Sequence, residues 1–141
     1  MSARPFFGVV VLLVVLGAGC ASEVPVERLE GDAATATGYA LADVSGARDG
    51  AQTTARFVFE EPGSEDLILE VTLGYDPQPV LVAGSWSRGS TRGTVRAETV
   101  RFVGGQGQGP SVGGTYRLER DSVARFRVHV PLTRIEDGWT P

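Results

Sequence analysis

Lysine is missing from this chain: all thirteen basic residues are arginine. Without lysine no Schiff base can form on it, and neither a P-loop lysine nor a kinase-type ATP lysine is present. Histidine and cysteine occur once each, as His129 and Cys20. A catalytic triad would have to recruit that one imidazole, and a zinc site would need carboxylates for most of its ligands, an unusual donor set. No helix-length apolar period recurs along the chain, and no apolar run reaches the roughly 20 residues that span a bilayer. The formal net charge is −4, so wholesale nucleic-acid binding is disfavoured. Charge is lopsided: residues 20–79 hold three arginines against twelve acids, and residues 80–141 hold nine against five.

What is present begins with the first twenty residues. One cation, Arg4, precedes the apolar run from Phe6 to Leu16, and the small residues Gly17, Ala18 and Gly19 lead to Cys20. Apolar runs of this length, closed by small residues, belong to processing segments rather than to fold elements. Residues 1–22 resemble a bacterial lipoprotein signal, departing from the usual pattern in carrying leucine at Leu16 and glycine at Gly17, where leucine is preferred. The resemblance implies a signal peptide over residues 1–19 and lipidation of Cys20 by acyl chains such as palmitate. Acyl chains contribute about 0.8 kcal/mol per buried methylene, and more than one chain gives a stable anchor. Because residue 21 is alanine and not aspartate, the resemblance places the protein at the outer membrane of a two-membrane envelope.

The 122 residues left after such processing suffice for one domain with its own core but not for two. Residues 20–37 are acidic and rich in alanine and threonine, without sustained periodicity, and are expected to be a flexible tether. About seventeen such residues would hold the domain on the order of 20 Å from the membrane. The domain proper is expected over residues 38–137, with a tail at 138–141. Its pattern has period two. Leu67, Leu69, Val71 and Leu73 alternate with Ile68, Glu70 and Thr72, and Phe126, Val128 and Val130 alternate with Arg125, Arg127 and His129, as half-buried strands do. Five further strands are expected over residues 39–44, 53–60, 80–87, 94–103 and 115–119. Between residues 94 and 103 the apolar parity slips, which a bulge near Glu98 and Thr99 would repair. Turn chemistry marks residues 45–50, 61–66, 76–79, 88–90 and 120–122. About seven short strands without helices predict an all-β fold, an antiparallel sandwich or small barrel. Its core draws on Leu41, Phe57, Phe59, Leu69, Val71, Trp86, Phe102, Tyr116, Phe126 and Val128.

Three segments are candidates for chemistry. Ser85-Trp86-Ser87-Arg88-Gly89 nearly spells a hydrolase nucleophile elbow, but Ser85 replaces the required glycine and no helix pattern follows; a strand end with exposed hydroxyls beside a core tryptophan accounts for it better. Gly104, Gly105, Gln106, Gly107, Gln108 and Gly109 form a glycine-rich stretch. Without a helix behind it to bind phosphate it is expected to be a mobile hairpin loop, the first place to look for a partner contact. In the hairpin from Thr115 to Val130, Arg117 is expected opposite or diagonal to Arg125, with Arg127 and His129 further along the same outward face. Facing like charges are destabilising unless neutralised. Either acids such as Glu98 and Glu119 screen them, or the row is an anion site for lipid phosphates or an acidic envelope polymer. The acidic turn at residues 60–66 lacks the spaced pattern of a calcium loop, and no metal or cofactor is implied.

The expectation is therefore a lipid-anchored envelope protein that acts by binding or assembly. Its partners are the membrane, through the lipid on Cys20, and an envelope protein or anionic envelope component. A small hydrolase, or a carrier holding a hydrophobic ligand between the sheets, is the alternative.

Overall fold

Alternating apolar positions can bury one face only as strands, and the expected strands all form. The computed structural model describes residues 24–104 and 109–135, and among these the fold is all-β. Nine strands run in chain order: β1 (Val26–Glu30), β2 (Ala33–Ala36), β3 (Ala40–Asp49), β4 (Gln52–Glu60), β5 (Leu67–Tyr75), β6 (Pro79–Arg88), β7 (Thr91–Val103), β8 (Ser111–Arg120) and β9 (Val123–Arg134). Strands β3 to β9 are the seven read from the sequence. The signal segment with Cys20, residues 105–108 and residues 136–141 lie outside the described residues.

Two sequence expectations are corrected. Residues 26–36 are not tether: β1 and β2 form a hairpin, and β1 pairs with β9 with Val26 opposite Val128 and Arg28 opposite Phe126. Its apolar positions, Val26 and Leu29, are three apart and both buried, a spacing that gives too little alternation to mark a strand. The physical cause is tertiary, because the free edge of β9 supplies the hydrogen bonds that a five-residue strand cannot make alone. The second correction concerns residues 45–49, which extend β3 rather than forming a turn; β8 likewise begins at Ser111, ahead of the expected Thr115, because a neighbouring strand recruits even glycine-rich backbone into its ladder.

All nine strands belong to one antiparallel sheet in the order β2-β1-β9-β8-β7-β6-β5-β4-β3. The terminal strands β2 and β3 are consecutive in the chain, joined by only Thr37, Gly38 and Tyr39. Four peptide steps reach at most about 14 Å, whereas nine strands laid flat at about 4.8 Å would separate those edges by roughly 38 Å. The sheet must therefore curl until its edges approach, and it is a half-barrel. The short link is fastened across one end of the curl. Glu61 accepts the Gly38 N–H and the Ser64 hydroxyl, and the buried Tyr39 donates its O–H to the Glu65 carbonyl at 2.7 Å. Near the other end Ile135 packs directly over Gly46 of β3.

The concave face holds the core. Phe57, Phe59, Leu67, Leu69, Leu73, Tyr116 and Leu118 are fully buried there, and Trp86 meets Phe126 edge-on at 5.8 Å. Leu41, expected in the core, is half-buried against it. The parity slip in β7 is repaired as expected: Ala97 pairs with Tyr116 and Thr99 with Thr115, leaving Glu98 as the extra residue of a bulge. One glycine has a specific duty. The Trp86 indole crosses β7 to donate to the Glu119 carbonyl at 2.9 Å, and a Cβ on Gly93 would collide with both groups.

Candidate functional site

Register brings the charged residues of the convex face into a row. Arg96 of β7 faces Arg117 of β8, Arg117 faces Arg127 of β9, and Arg127 faces Glu27 of β1. Three adjacent guanidiniums would repel, and the fold supplies acids between them. Bulging of β7 brings the Glu98 carboxylate 3.1 Å from Arg127 Nε and 3.5 Å from Arg117. Glu27 contacts Arg127 at 3.6 Å and His129 Nε2 at 3.1 Å, and Glu119 lies 3.5 Å from Arg96. The hydrogen bond from His129, then the charges of His129 and Arg127, hold the Glu27 carboxyl below its ordinary value. The screening expected of Glu98 and Glu119 is present, and Glu27 adds to it. One donor in the row, Arg117 Nε, is buried without a hydrogen-bond partner.

The expected cluster divides. Arg117, Arg127 and His129 share this compensated face, with His129 Nδ1 3.3 Å from the Thr115 hydroxyl. The residue directly opposite Arg117 is Arg127. Leu118 pairs with Phe126 and Glu119 with Ala124, so the ladder skips Arg125. Arg125 instead lines a pocket of about 250 Å³ at the end of the half-barrel where the β6–β7 and β8–β9 turns lie.

That pocket was not legible in the sequence. Arg28 of β1, Arg88 of β6, Arg120 of β8 and Arg125 of β9 line it together with Trp86 and Phe126. The Arg28 guanidinium lies 5.5 Å from the centre of the Phe126 ring, within cation–π range. Arg88 donates from Nε to the Tyr39 hydroxyl at 2.7 Å, a bond that raises its pKa further and fixes its head. Four strands contribute one arginine each, and no spacing along the chain announces their convergence. A second concavity of about 390 Å³ lies among Pro25, Leu41, Thr99, Arg101, Thr115 and His129.

The remaining candidates are placed as follows. Ser85 is exposed on β6 and Ser87 half-buried beside the buried Trp86, and β7 and β8 separate β6 from His129 on β9, so serine and imidazole do not meet. Of the glycine-rich stretch, Gly104 donates its N–H to the Tyr75 hydroxyl at 3.0 Å, Gly109 precedes β8, and Gly105, Gln106, Gly107 and Gln108 lie outside the described residues. Among the described residues no three His, Cys, Asp or Glu side chains gather as a metal site would require. No protein-family model matches this chain, and no curated protein and no solved structure does.

Proposed function

We propose that this chain is a lipid-anchored protein of the bacterial envelope whose half-barrel is a binding or assembly module, held to the membrane through Cys20 and recognising its partner at the domain surface. The observation that carries the recognition half of this reading is the filled concave face. Phe57, Phe59, Tyr116 and Leu118 occupy the space in which an enclosed carrier would hold a hydrophobic ligand. Recognition is left to the pockets on the rim and to the sheet edges. Strand β2 is such an edge: Ala33, Ala34, Thr35 and Ala36 are all exposed. They carry neither the charge nor the proline that usually guards an unpaired edge, and a partner strand can add there.

The anchoring half rests on the signal resemblance, and the fold alters its geometry. With β1 starting at Val26, only the five residues 21–25 separate it from Cys20, a reach of at most about 20 Å. Such a domain works against the membrane rather than at a distance from it.

Detergent partitioning and membrane fractionation of the full-length chain and of Cys20→Ser test the anchor. Wild type should sediment with membranes and enter the detergent phase, and the serine variant should appear in the soluble fraction with an unchanged far-ultraviolet spectrum. Retention of Cys20→Ser in the membrane would show that lipid on this cysteine is not what holds the protein.

A further inference from the structure

We infer that the arginine pocket at the turn end of the half-barrel is a binding site for a phosphate group, with Arg28, Arg88, Arg120 and Arg125 as its donors and the Trp86–Phe126 pair as its floor. The inference rests on reading the domain as a binding module, and not on its lipid anchor.

The convex face shows how this fold treats arginines that have only a structural part. There Arg96, Arg117 and Arg127 each have a carboxylate at 3.1–3.5 Å. The pocket is treated differently. None of the ion pairs among the described residues involves Arg28, Arg88 or Arg125. Arg120 reaches only its exposed neighbour Asp121, at 4.0 Å. The acids nearby are Glu30, which lines the pocket, and Glu61 and Glu65 on the β4–β5 loop, which act through space on Arg88, Glu61 also on Arg28, without pairing with either. Glu61 already accepts the Gly38 N–H and the Ser64 hydroxyl. Four cations from four strands thus converge on about 250 Å³ with their hydrogen-bonding capacity largely unused.

Two of them are held in place before any ligand arrives, Arg28 by its ring contact with Phe126 and Arg88 by Tyr39. Guanidinium groups arranged in this way present forks of N–H donors that match the oxygens of a phosphate. A phosphate on a lipid headgroup and one on a soluble molecule share this chemistry. The polypeptide favours neither: Pro25 accepts from the His129 N–H, so the chain enters β1 at the end away from the pocket, while the five residues between Cys20 and β1 span at most about 20 Å.

The experiment titrates the full-length chain in detergent micelles with inorganic phosphate and with pyrophosphate at constant ionic strength, and in a second arm mixes it with phosphatidylglycerol and with phosphatidylcholine vesicles. Arg120→Gln and Arg125→Gln change exposed side chains outside the buried core, and the exposed Arg48→Gln on β3 is the control. Binding should weaken at least about tenfold in Arg125→Gln and in Arg120→Gln and stay unchanged in Arg48→Gln. Arginine-dependent binding in the soluble arm assigns a soluble phosphate, and arginine-dependent binding confined to the anionic vesicles assigns a headgroup. The inference is overturned by binding in neither arm, or by binding that Arg48→Gln weakens as much as the pocket variants do. If binding fails while membrane retention still depends on Cys20, the ligand is wrong and the tethered domain stands.

Discussion

Gly93 illustrates how one residue carries information that its neighbours cannot. The Trp86 indole N–H needs an acceptor because it is buried, and the nearest is the Glu119 carbonyl on the far side of β7. Only a residue without a side chain lets the ring cross, so Gly93 is a packing glycine rather than a turn glycine. Replacing it with alanine should lower stability by about 1–3 kcal/mol, the usual cost of an overpacked core. Lower urea midpoints together with an altered near-ultraviolet tryptophan signal would express that cost; an unchanged midpoint would mean that the indole does not pass there. A neighbouring device works at Asp121 and Ser122, whose positive φ angles of 54° and 66° give the two-residue turn the twist of the strands it joins. That turn pairs Arg120 with Val123, and the skip at Arg125 then shifts the register by one so that Arg117 stands against Arg127.

Charge contributes to the attachment of the N-terminal hairpin. Glu27 ties β1 to β9 through Arg127 and His129, and its folded pKa is depressed mainly by the His129 hydrogen bond. For a depressed carboxylate, stability is fully present above the unfolded value, near 4.5, and is lost as pH falls through the lower folded value. Glu61, which fastens the link from β2 to β3, is also depressed, first by the Ser64 hydroxyl and then by the Gly38 N–H, so acid loosens both ends of the same segment. The prediction compares wild type with Glu27→Gln in urea from pH 7 to pH 3. The variant should be less stable at neutral pH, and the gap should close in acid as the wild-type carboxyl is protonated. A gap independent of pH would remove Glu27 from this role.

At the scale of the molecule, the hairpin belongs to the domain and moves its boundary from residue 38 to about residue 24. Val26 and Leu29 are buried, and burying each such side chain is worth roughly 1.5–3 kcal/mol. A fragment covering residues 24–137 should therefore be more stable than one covering residues 38–137 by about 3 kcal/mol or more, read from urea midpoints. Both should show strand and little helix in the far ultraviolet. Equal midpoints would return residues 24–37 to the status of a tether. Curling matters here as well, because the same closure that brings β2 near β3 gathers one end of β1, β6, β8 and β9 around a single pocket.

Period-two alternation by itself determined the all-β class, the seven strands β3 to β9, the bulge at Glu98 and the centre of the core, though not Val26, Tyr39, Val112 or Ile135, because a half-buried strand leaves its mark in consecutive residues such as Leu67, Leu69, Val71 and Leu73. It also determined that Arg117 and Arg127 would share a face and need acids beside them. Only the tertiary structure decided that residues 26–36 form a hairpin whose first strand, β1, pairs with β9, since β1 draws its stability from an edge about a hundred residues away rather than from its own sequence. The same holds for the four arginines at the turn end. Strand order and curl are properties of the assembled sheet, and a site built from one residue per strand leaves no local pattern to read.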